Sequence, residues 1–81
     1  MALNSGRSAD PSVTEVFIAH QEGVVEANVW PGRNGSLLCR VLVAEDCNMG
    51  AKDIQQLCLQ RLGREATPTM VMVDKVKRLA A

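Results

Sequence analysis

Residues 37–44 run Leu37, Leu38, Cys39, Arg40, Val41, Leu42, Val43, Ala44, and both alternating faces of that run are apolar. Leu37, Cys39, Val41 and Val43 share one side, while Leu38, Leu42 and Ala44 share the other. A strand of this kind belongs in the middle of a sheet. Only Arg40 needs an exit, which its long aliphatic stem provides. The chain that must supply the rest has 81 residues, near the lower limit for a self-sufficient hydrophobic core. Its only aromatic residues are Phe17 and Trp30, so the core is expected to be Val, Leu, Ala, Ile and Met.

The neighbouring segments supply what a central strand requires. Asp10-Pro11 is a helix-start signal: Asp caps the free N–H groups of the first turn, and Pro lacks an N–H to waste there. Val13, Val16, Phe17 and His20 then recur at helical spacing, which predicts a helix over 11–21 with that stripe inward and Gly23 as its stop. Val24–Trp30 alternates as a strand with Val25, Ala27 and Val29 on one face. The Pro31–Gly35 turn makes it an antiparallel hairpin with the next strand. After a loop at 45–50, Ile54, Leu57, Cys58 and Leu62 mark one face of a helix over 50–62, with Asn48 as its cap and Gly63 as its end. Thr67-Pro68 breaks the chain before a third strand at 70–73, where Met70 and Met72 are expected to fill the core. The expected fold is α+β, a small three-stranded sheet with helices packed on it, in the order α-β-β-α-β. Residues 1–9 are expected to be a flexible arm or short strand, and residues 10–81 a single domain.

Charge and chemistry narrow the function. Nine basic and nine acidic side chains cancel, which excludes the cationic surface of a nucleic-acid binder and a polybasic membrane anchor. No stretch has the length of a signal peptide or a membrane span, so the expected location is cytoplasmic. Cys39, Cys47 and Cys58 fit neither a zinc knuckle nor a disulfide framework, and Cys39 and Cys58, among apolar neighbours, read as small buried hydrophobes in a reducing compartment. His20 is the only histidine, and on the helical stripe it reads as a half-buried structural residue. Glu15, Glu22 and Glu26 read as solvated faces. No nucleotide-binding, metal-binding or nucleophile motif is present, which points to a binding or accessory module.

Five pieces in register add a resemblance. Asn4 to Ser12 followed by Glu15, then Gly23 to Val29, then Asp53 to Leu62, Pro68, and Met70 to Lys75 resemble successive motifs in the C-terminal domain of adenylate-forming acyl- and aryl-CoA ligases. The resemblance extends from residue 4 to residue 78. It implies the small mobile lid of such enzymes, whose glycine hairpin would be represented by Ser5, Gly6 and Arg7. A glycine there lets backbone approach a pantetheine arm, and Arg7 would meet a phosphate or carboxylate.

The departures shape the expectation. The family's last strand leads to a Gly-Lys pair that contacts the acyl adenylate, and here the sequence ends at Ala81, about where that pair would begin. Lys75 and Lys77 lie too early in the register to replace it, and Lys77 stands where the family has Pro before Arg78. The loop between the first two strands is short, and His20 is one residue out of register with a family histidine. The resemblance therefore implies a non-catalytic accessory or interaction domain that complements a separate adenylation core. ATP or coenzyme A would bind only through that core, and an acyl carrier protein is a further candidate partner. Docking would use Ser5, Gly6, Arg7, Lys75, Lys77 and Arg78. No metal, nucleic acid or membrane is expected, and a monomer is favoured over a homodimer. The alternative is a small-molecule-sensing, ferredoxin-like module that dimerises through its sheet.

Overall fold

The computed structural model describes residues 10–76. They form α1 (Pro11–Ala19), β1 (Val24–Pro31), β2 (Leu37–Val43), α2 (Ala51–Arg61) and β3 (Met70–Lys75). Short 3-10 turns at Arg33–Gly35 and Arg64–Ala66 complete the trace. The fold is α+β in the expected α-β-β-α-β order. The arm expected at residues 1–9, and residues 77–81, lie outside the described residues.

β2 is the central strand, with β1 antiparallel on one side and β3 parallel on the other. Arg40 is its one exposed residue, and its Nε donates to Asp74 Oδ2 at 3.2 Å. α2 carries the chain from β2 to β3, and those two strands pair directly. A ferredoxin-like unit is a split βαβ, with another strand between the two that its helix joins. That alternative topology is therefore not the one observed.

The helix ends follow local chemistry. The Asp10 side chain accepts the Ser12 N–H at 2.9 Å, and Pro11 opens α1. The helix stops at Ala19, two residues earlier than expected, and the chain reverses at Gly23, whose φ of +91° favours glycine. A Cβ at Gly23 would also lie 2.7 Å from Cys47 Sγ. Asn48 does not cap α2. That place is taken by Gly50, whose N–H donates to the Asp53 carboxylate at 2.8 Å.

One side of the sheet carries the core. Ala27, Val29, Leu37, Cys39, Val41 and Val43 are buried there beneath Ile18 of α1 and Ile54 and Cys58 of α2. Three expected core assignments are corrected. In α1 the buried residues are Thr14 and Ile18, whereas Val13, Val16 and His20 face outward. Thr14 can be buried because its hydroxyl donates to the Ala66 carbonyl at 2.8 Å. In β1 a bulge between Val24 and Glu26 makes Val25 the extra residue, so Val25 turns out and Val24 packs on the core. In β3 the register pairs Val71 with Cys39 and Val73 with Val41. Those two valines therefore face the core, and Met70 and Met72 lie exposed on the opposite side.

Candidate functional site

The expected docking residues divide between described and undescribed parts of the chain. Ser5, Gly6, Arg7, Lys77 and Arg78 fall outside the described residues. Lys75 is the last residue of β3, exposed, and in register with Val43. The two segments join the fold at opposite ends of the sheet. The first half of α1 is tied to the end where β1 finishes and β3 begins, by Thr14 to Ala66 and by Glu15 to Val29. Lys75 and Val76 leave at the other end, where the Val76 N–H donates to the Val43 carbonyl at 2.8 Å and the Ala44 N–H to the Gly23 carbonyl at 2.7 Å.

At that second end the β1 bulge opens a cleft of about 470 Å³, lined by Val25, Ala44, Glu45, Asp46 and Val76. Sequence reading missed it. A bulge leaves no composition signal, because Val25 continues the alternation of Ala27 and Val29 without a break. The cleft is acidic on one wall through Glu45 and Asp46.

Three groups that could carry chemistry are occupied structurally. His20 lies exposed with Nδ1 2.8 Å from the Val16 carbonyl, so that nitrogen donates to the helix end when it bears the proton. Cys39 and Cys58 are fully buried free thiols. Burial pushes the Cys39 thiol up to about 12, with the neighbouring Cys58 and Glu15 adding to the rise. Burial alone pushes Cys58 up to about 11. Thiols held neutral in this way are poor nucleophiles and poor metal ligands. Glu15 is not a solvated residue as expected: it is half-buried, and its Oε2 accepts the Val29 N–H at 3.2 Å. It thereby satisfies an outward amide on the edge strand β1. Among the described residues no cluster of His, Cys, Asp and Glu could hold a metal ion, and no helix is long and apolar enough to cross a membrane.

Comparison with known proteins then shows where this fold recurs. No family model and no curated protein matches the sequence. Solved structures do match in shape. A mutant of the amide bond synthetase McbA from Marinactinospora thermotolerans superposes with a TM-score of 0.71 at 19% identity over 88% of this chain. The O-succinylbenzoate coenzyme A synthetase MenE from Bacillus subtilis gives 0.69 at 21% identity over 88% of this chain. An acyl-CoA synthetase from Brucella canis gives 0.66 at 22% identity over 91% of it. These neighbours are synthetases, and what this chain shares with a part of each is its fold. The match spans only about 15% of each synthetase's own length.

Proposed function

We propose that this chain works as the lid of an adenylate-forming acyl or aryl ligase, has no autonomous activity, and complements an adenylation core that binds the acyl substrate. The observation that carries this reading is the fold match over nearly nine tenths of the chain to about one seventh of each synthetase. The residue chemistry supports it. The lone histidine is bonded to a helix end, and both buried thiols are kept neutral. ATP and coenzyme A enter only through the core, and an acyl carrier protein is the alternative thiol acceptor. Docking uses Ser5, Gly6 and Arg7 at one approach and Lys75, Lys77 and Arg78 at the other. The opposite ends at which these segments join the sheet suit a domain that presents different elements in different orientations. A cytoplasmic setting accords with the free thiols Cys39 and Cys58.

The test is pyrophosphate release from ATP with a panel of carboxylic acids. The chain alone should release none. Added to an adenylation core deprived of its own small domain, the chain should restore acyl-thioester formation at least about tenfold, or about 1.4 kcal/mol. Turnover by the isolated chain, or no effect on the core, would refute the proposal.

A further inference from the structure

We infer that the face of the sheet left uncovered among the described residues is a docking surface for a different protein that is apolar at its centre and basic at one flank, and not for a second copy of this chain. The inference stands on that face alone and does not depend on the lid reading. Register places nine side chains there in three rows. Trp30, Leu38 and Met70 form the first row, Asn28, Arg40 and Met72 the second, and Glu26, Leu42 and Asp74 the third. The first row is wholly apolar and continues diagonally into Met72. Trp30, Met70 and Met72 are exposed, and Trp30 is the only tryptophan in a chain with one other aromatic residue. A chain short of aromatic core material has set its largest apolar side chain on the outside. Trp, Met and Arg are the residue types enriched at the centres of protein interfaces.

The charges decide the occupant. A two-fold axis through the centre of the face would bring Arg40 against Arg40 of the copy, whichever way the axis ran in the plane. With the axis along the strands, Glu26 would meet Asp74 of the copy. With the axis across them, both carboxylates would lie on Trp30 and Met70 of the copy. Each arrangement opposes like charges or strands a carboxylate on apolar surface. The face also projects only roughly 300 Å², against about 800 Å² per partner in a standard interface. A different protein escapes both limits. It can extend over the outer edge of β3, which is unpaired among the described residues. It can also set a cation opposite Glu26, whose carboxylate meets only the Asn28 amide at 3.2 Å and no cation among the described residues.

The full chain is titrated with two tryptophan-free amphipathic helical peptides that share a leucine stripe, one with lysine and one with glutamate on its polar side. Trp30 fluorescence reports binding, methionine methyl signals locate it, and sedimentation gives the mass of the free chain. Expected are a monomer, a blue shift of Trp30 with the lysine peptide, affinity about tenfold above that for the glutamate peptide, and perturbation of Met70 and Met72. Glu26→Lys should erase most of that preference, while Gln60→Lys on α2 should leave it intact, and circular dichroism verifies that both variants are folded. Equal binding of the two peptides, no response of Trp30, preference unchanged in Glu26→Lys, or a free chain already dimeric with a shielded Trp30 would overturn the inference.

Discussion

The three strands present two faces built from alternate residues of the same segments, and the faces differ in kind. On the covered face Cys39, Val41 and Val43 are 0% exposed beneath Ile18 and Ile54. On the open face, one residue away along each strand, Met70 is 55% and Met72 44% exposed beside the solvated Arg40–Asp74 pair. The compositions differ as well: four of the nine open-face residues, Glu26, Asn28, Arg40 and Asp74, are polar or charged, whereas the covered face is almost wholly apolar. The helices seat on the apolar face and are tied there by polar contacts: Thr14 to Ala66, Glu15 to Val29, and the Gln55 amide to the Pro68 carbonyl at 3.1 Å.

The largest break in this contrast should come from opening a cavity under the helices. Ile54→Ala is expected to cost about 3 kcal/mol, enough to leave so small a chain largely unfolded, whereas Met72→Ala should cost less than about 1 kcal/mol. Urea denaturation of the two variants measures the difference between the faces directly. Next in size, Thr14→Val keeps the side chain's shape but leaves the Ala66 carbonyl without its donor, at about 1–2 kcal/mol. Glu15→Gln should cost less, because the amide oxygen can still accept the Val29 N–H.

Above neutral pH the buried thiols sharpen the same contrast. Cys39 and Cys58 have folded pKa values of about 12 and about 11 against an ordinary 9.0. The unfolded chain therefore releases these protons first as pH rises. The stabilisation is fully present below pH 9 and is lost progressively between 9 and 12. Denaturation midpoints should fall across that window in the native chain and fall less in Cys39→Ala. In the folded chain at pH 8 iodoacetamide should modify the partly exposed Cys47 well before the other two. The smallest effect belongs to the open face: Arg40→Ala removes an ion pair whose side chains are 60% and 53% exposed. It should change stability by less than about 0.5 kcal/mol, with the melting temperature as readout.

Much of this arrangement is legible in the sequence wherever local chemistry is sufficient. The doubly apolar run at 37–44 marks the central strand, Asp10-Pro11 marks the start of α1, Gly23 marks the reversal into β1, and Gly63 marks the end of α2. Sequence reading fails where a residue's orientation depends on a distant partner. Thr14 reads as polar surface until the Ala66 carbonyl, fifty-two positions on, receives its hydroxyl. Val25 reads as core until the bulge turns it out. Met70 and Met72 alternate as cleanly as Val71 and Val73, and only pairing with β2 decides which set faces the helices. The cleft at Val25, Glu45 and Asp46 was illegible for the same reason. Of the candidate docking residues, Lys75 alone lies within the described part of the chain.

The most direct test of the two-faced sheet is methyl NMR of the full chain in the presence of a soluble gadolinium chelate. The account predicts strong broadening of the Met70 and Met72 methyls, intermediate broadening of Leu38 and Leu42, and sharp signals from Val41, Val43, Ile18 and Ile54. Protection of Met70 and Met72 equal to that of Val41 would show the second face already covered. It would contradict the claim that one face holds the fold and the other is left for a partner.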